Sequence, residues 1–130
     1  ERMKVVLDTN IFVSGIFWKG DSYRILDMWR NRKFTLITSE PIIQELIEVL
    51  NDFKIKLSID IREEWVNIIR ANSIIVDPEE HFDVSIHKDD NKFIDAAIEG
   101  NADYIITQDN HLLRIKEFKG TKIIKPEEII

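Results

Sequence analysis

The chain of 130 residues has no cysteine. Disulfides and thiolate-held metals are therefore excluded, a composition that fits an intracellular, cytoplasmic protein. No apolar run approaches the roughly 20 residues of a membrane-spanning helix, and no signal-peptide pattern opens the chain, so no membrane partner is expected. Basic residues are in deficit, with 18 Lys and Arg against 24 Asp and Glu and a formal net charge of -6. That balance argues against a binder whose affinity comes from cations on phosphates. It is compatible with carboxylates gathered around a divalent cation, which would reverse the local sign. Repeats, linkers and low-complexity tracts are also missing. The length suits one domain, read as residues 3–130, with Glu1-Arg2 before Met3 taken as a remnant of expression.

What is present alternates. Val5-Val6-Leu7 is a short apolar run of the kind that forms a buried parallel strand, and Asp8 ends it. Thr9 or Asn10 then reads as the N-cap of a helix from Ile11 to Trp18. A second helix is expected from Ser22 to Asn31, and a strand over 33–38. Ser39 as N-cap and Pro41 in the first turn open a third helix, with Ile42, Ile43, Leu46, Val49, Leu50 and Phe53 on one face and Glu45 on its flank. Asp60 reads as the cap of a fourth helix. Ser73 to Val76 forms a strand stopped by Pro78, and residues 79–89 a polar loop. A fifth helix runs from Asp90 through Ile98, followed by strands at Tyr104 to Thr107 and Lys122 to Ile124. This order predicts a three-layer α/β/α sandwich on a mostly parallel five-stranded sheet.

Two strands end alike, in Leu7-Asp8-Thr9-Asn10 and in Thr107-Gln108-Asp109-Asn110. If they are neighbours, Asp8 and Asp109 converge at the carboxyl edge, where open α/β sheets build their sites. Asp90 and Glu45 enter from helices at the same end. Gathered carboxylates repel, and a bound cation relieves them. Oxygen ligands without cysteine or a placed histidine favour Mg²⁺ or Mn²⁺. Each acid also has a purely structural reading: Asp8, Asp90 and Asp109 as helix caps, Glu45 as a solvated helix residue. Asp95 reads as a surface charge and a weaker metal candidate, and His81, His87 and His111 as solvent-facing.

The residues around these acids resemble the PIN domain family. Val5 to Gly15 is similar to its opening, Ser39 to Leu46 to its second motif with Glu45 at the acidic position, Asp89 to Ala97 to its third, and Ala102 to Asp109 to its fourth. Lys125-Pro126-Glu127-Glu128 resembles its usual ending. Asp89, Asp90 and Asp95 can each claim the third position, with Asp90 the best match. The resemblance is nearest to stand-alone prokaryotic toxins of toxin–antitoxin pairs. It implies a Mg²⁺- or Mn²⁺-dependent endoribonuclease leaving 5′-phosphate and 3′-hydroxyl ends, with Asp8, Glu45, Asp90 and Asp109 catalytic and metal-binding. Asn10 and Thr107 would position the ligands or touch a phosphate. RNA would be the substrate, an antitoxin protein a partner, and a homodimer the assembly. Lys19, Arg24, Arg30, Arg32, Lys33, Lys88, Lys92 and Arg114 would form a basic rim, Lys19 and Lys92 foremost, with Phe17 and Trp18 stacking bases. Two other readings stand beside it: a catalytically silent PIN-like module that binds RNA or a protein partner, and a phosphatase-like hydrolase using Asp8 as nucleophile.

Overall fold

The computed structural model describes residues 2–52 and 54–130. Phe53, expected on the apolar face of the third helix, lies outside the described residues. The strands are β1 (Lys4–Leu7), β2 (Thr35–Ser39), β3 (Ser73–Val76), β4 (Tyr104–Ile106), β5 (Glu117–Phe118) and β6 (Thr121–Ile124). The helices are α1 (Thr9–Phe17), α2 (Asp21–Arg30), α3 (Glu40–Leu50), α4 (Ile59–Ala71), α5 (Asn91–Glu99) and α6 (Asn110–Leu113). The sheet order is β3-β2-β1-β4-β6-β5, with every pairing parallel except β5 on β6.

The sheet thus has six strands, one more than expected. The two-residue β5 is too short to show a period, and only its turn through Gly120, at φ +90°, makes the hairpin with β6. Successive side chains in a strand point to opposite faces. Val5 and Leu7 accordingly join the core beneath α1 to α4, while Val6 joins Phe93, Ile94 and Ala97 of α5 on the other face. These three β1 residues are almost wholly buried, each worth about 2 kcal/mol of transfer free energy. The close crossing of α1 and α2 depends on Gly15. A Cβ there would stand 2.6 Å from Leu26 Cδ1 and 2.9 Å from the Ser22 carbonyl oxygen.

Some capping expectations change. Asp8, not Thr9 or Asn10, caps α1, accepting from the Asn10 N–H at 3.4 Å. Ser58, not Asp60, caps α4. Ser39 occupies the N-cap position of α3 without a side-chain cap bond, and its buried hydroxyl has no hydrogen-bond partner. For α1 and α4 the residue one or two positions nearer the preceding segment has the extended backbone that an N-cap requires.

The chain leaves β1 for β2 and β3 on one side and returns to β4 on the other, so the strand order reverses between β1 and β4. In open parallel sheets, the carboxyl end of such a switch point opens a crevice.

Candidate active site

The register pairs Leu7 with Ile106 and Val6 with Ile37, which sets Asp8 level with Thr107 of the neighbouring chain segment and with Ser39 at the end of β2. Asp8 is buried at the switch point. Its Oδ2 accepts from the Thr107 hydroxyl at 2.6 Å, and the Asp109 N–H donates to that same hydroxyl oxygen at 2.9 Å. Asp109 caps α6 through the His111 N–H at 2.9 Å, as Asp8 caps α1. Strand, aspartate and helix therefore follow one another twice on adjacent strands, and each carboxylate has one oxygen committed to its helix.

Glu45 comes from α3. Its Oε1 accepts from the Thr9 hydroxyl and its Oε2 pairs with Lys92 Nζ of α5. Asp90 comes from a single 3-10 turn, Lys88–Asp90, that leads into α5. It sits at the N-cap position but makes no side-chain cap bond; its carboxyl faces Asp109 instead. Asp8, Glu45, Asp90 and Asp109 are thus brought to one end of the sheet by four separate segments. Asn10 contributes its backbone N–H to Asp8, its side chain being exposed, and Thr107 its hydroxyl.

The crowding has a protonic consequence. Burial pushes the Asp8 carboxyl above its usual value; the Thr107 and Asn10 hydrogen bonds oppose this, and the charges of Glu45 and Asp109 add to it. Asp90 is pushed up to about 6, first by burial, then by its hydrogen bond with Asp109 and the Asp109 charge, with His87 pulling the other way. Four carboxylates meet here, and Lys92 is the one lysine or arginine paired with any of them among the described residues. An acidic, cation-deficient set of oxygen donors fits a hard divalent ion.

Several expectations need correction. Asp95 is buried, not a surface charge, and faces away from the site: it accepts from the Phe82 N–H at 2.8 Å and lies 3.0 Å from His81 Nδ1. Asp89 is exposed, so of the three contenders for the third position Asp90 faces Asp109. The histidine rings are exposed yet not isolated: His87 Nδ1 lies 3.2 Å from Asp90 and His111 Nδ1 3.5 Å from Asp109. They were overlooked because the turn that places His87 has no apolar period.

Part of the basic rim lies away from the acids. Arg30 ends α2, and Arg32 and Lys33 follow it into the amino end of β2, where Arg30 and Arg32 line a cleft with Arg2, Phe34 and Thr35 at the opposite edge of the sheet. Arg24 lies 3.9 Å from Asp21, and Lys88 3.9 Å from Asp83. Lys19 and the exposed Trp18 follow α1, about 14 Å of helix beyond Asp8. Lys92 lies inside the cluster rather than on its rim. Thr9 and Lys92, which hold both oxygens of Glu45, had no motif to announce that role.

The sequence profile of the PIN domain family matches residues 4–111. An uncharacterized protein of Methanocaldococcus jannaschii is 32% identical over 120 residues, which are 89% of this chain and 77% of that protein. Among solved structures, VapBC2 from Rickettsia felis, bound to a DNA fragment from its promoter, aligns with a TM-score of 0.62 at 20% identity, covering 95% of this chain and 98% of the other. A Pyrobaculum aerophilum protein aligns with a TM-score of 0.64 at 13% identity, covering 98% and 86%. At such identities the two structures speak for the fold. No helix among the described residues is long and apolar enough to cross a membrane.

Proposed function

The chain belongs to the PIN domain family, and from that premise we propose that it is a divalent-metal-dependent endoribonuclease whose acidic centre is Asp8, Glu45, Asp90 and Asp109. The observation that carries the reading is the meeting of these acids, from four segments, at the switch point of the sheet. Mg²⁺ or Mn²⁺ suits the oxygen donors. When bound, the ion supplies Lewis acidity, which lowers the pKa of a water and takes up charge on phosphoryl oxygens.

The chain's own groups do the positioning. Thr107 donates to Asp8 Oδ2 and the Asn10 N–H to Oδ1, which orients the Asp8 carboxylate that would hold the ion. Asp109 is fixed by its cap bond to the His111 N–H and faces Asp90, so the two carboxyls would serve side by side as ligands. Glu45 is held at both oxygens by Thr9 and Lys92, a clamp that would suit it to orient the attacking water or to serve as a ligand. Asp90, with its carboxyl pushed up to about 6, would serve as a ligand in its ionised form, which prevails above that pH.

The proposal extends to a cytoplasmic toxin, paired with an antitoxin protein and acting as a homodimer. The fold shared with the R. felis VapBC2 protein supports that part. Incubation with RNA and Mg²⁺ or Mn²⁺ tests the chemistry. Cleavage is expected that chelator abolishes and that Asp8→Asn lowers on the order of 10³-fold, about 4 kcal/mol of barrier. Metal-independent cleavage, or an Asp8→Asn variant as active as the parent, would sink the nuclease reading. The toxin role predicts growth arrest on expression that the same substitution relieves.

A further inference from the structure

Beside the acids, one ligand-capable atom from each of His87, Asp90 and His111 lies within 4.8 Å of the others. The arrangement follows from local geometry. His87 precedes the 3-10 turn that Asp90 closes, and at three residues per turn side chains i and i+3 eclipse. Ring and carboxylate therefore emerge on one side, 3.2 Å apart. His111 is delivered to the same spot by the first turn of α6, where Asp109 holds its backbone N–H and lies 3.5 Å from its Nδ1. The two imidazoles stand 5.9 Å apart, tilted by 35°. Both rings are about half exposed, at 59% and 47%, whereas the Asp90 side chain is 12% exposed. One fixed carboxylate is thus flanked by two rings with room to turn.

We propose that His87, Asp90 and His111 form a mixed imidazole–carboxylate site for a first-row transition ion of the Zn²⁺ type, overlapping the acidic centre at Asp90. Imidazole nitrogen is a borderline donor that Zn²⁺, Co²⁺ and Ni²⁺ select and Mg²⁺ does not. Ligand atoms bound to one Zn²⁺ at about 2.1 Å stand roughly 3.4 Å apart in a tetrahedron. The present spread of up to 4.8 Å exceeds that value, and the two half-exposed rings are the partners free to close it, Asp90 being buried. Asp109 beside His111 Nδ1 supplies the carboxylate that holds an imidazole in the tautomer whose Nε2 faces a metal. An ion in this site occupies the Asp90 carboxylate where it stands, so it competes with Mg²⁺ for that ligand. The site itself stands on side-chain geometry; the competition rests on the nuclease reading above.

The test uses the full chain freed of metal by chelator. Zn²⁺ and Mg²⁺ affinities are measured by calorimetry, and Co²⁺ is followed by its visible absorption, for the parent, His87→Ala, His111→Ala and Asp8→Asn. Each histidine variant should bind Zn²⁺ at least about 10-fold more weakly and lose the Co²⁺ band, with a far smaller change in Mg²⁺ affinity, since each ring also touches an acid of the centre. Asp8→Asn should keep the band. Unaltered Zn²⁺ affinity in both histidine variants overturns the proposal. So does a Co²⁺ band that Asp8→Asn removes and the histidine variants keep, since the ion then sits among the carboxylates. A histidine-dependent band in a protein that cleaves no RNA with Mg²⁺ or Mn²⁺ leaves this site standing and removes the nuclease reading instead.

Discussion

Asp90, at the entrance to α5, and Asp95, one and a half turns into that helix, are equally buried at 8% exposure, yet their surroundings are opposite. Asp95 meets donors. The Phe82 N–H and the His81 ring satisfy its two oxygens, and the neighbouring Asn91 adds its own Oδ1 to the Val84 and Ser85 N–H groups at 3.1 and 2.8 Å. Together they lash the irregular segment before α5 onto the helix. Asp90 meets another acid, with one histidine to offset it. Burying a carboxylate costs little when N–H groups replace its water and much when a second carboxylate does. The middle of the helix is therefore a stability device, and its entrance is where the fold leaves negative charge in want of a cation.

Exchanging each aspartate tests that contrast. Asp90→Asn should lower metal-dependent RNA cleavage about 10²- to 10³-fold, roughly 3–4 kcal/mol of barrier, while the metal-free protein becomes more stable. The sign follows from linkage. The folded pKa of Asp90, about 6, lies above its usual 3.8, so this group's contribution is fully favourable below pH 3.8 and is lost as the pH rises through 6. The variant has no such loss. In chelator, its advantage in urea denaturation should be absent near pH 3.5 and reach on the order of 1 kcal/mol above pH 7, after screening by His87 and solvent. A constant difference across that range would show that the Asp90 carboxyl is not crowded. Asp95→Ala should do the reverse. It leaves the Phe82 N–H without its acceptor and should cost about 2–3 kcal/mol of stability in the same titration, with cleavage per folded molecule unchanged.

Asp8 and Asp109 were legible in the sequence because each ends an apolar strand, and strand ends are marked by where the apolar run stops. Glu45 was legible as a flank position through the 3.6-residue period of Ile42, Ile43, Leu46 and Leu50. Asp95 reads in the sequence as a surface charge, yet it is buried. What covers Asp95 is the aperiodic segment around Phe82, whose path is set by long-range contacts such as Phe82 on Phe118 at 5.2 Å. His87 and His111 escaped for the same reason: a turn and a four-residue helix have no period to place them. Lys92 looked like a rim cation because sequence shows that a lysine is near an acid, never on which side of it. The neighbouring order of β1 and β4, on which the meeting of Asp8 and Asp109 depends, was an assumption in the sequence and is a fact of the sheet.

Lys92 gives the smallest expected effect and the finest division between neutralising charge and holding geometry. Its side chain is 18% exposed, its ammonium rests on Glu45 Oε2, and the group lies 5.4 Å from the centroid of the Phe93 ring. Lys92→Met keeps most of the apolar stem and removes the charge. Glu45 then loses its counter-ion, which should cost the metal-free protein about 1 kcal/mol. A purely electrostatic role predicts tighter Mn²⁺ binding, by roughly 3- to 10-fold, because one positive charge has left the site. A positioning role predicts weaker binding, because Glu45 is then held by Thr9 alone. The clamp at both Glu45 oxygens holds geometry that solvent screens little, and the ammonium, on a side chain only 18% exposed, repels an incoming ion through space that solvent also screens little. Even so, Thr9 keeps Glu45 oriented in the variant, so the lost repulsion should dominate. Calorimetric titration with Mn²⁺ should therefore show the tighter binding, and weaker binding would make Lys92 a positioning residue for Glu45.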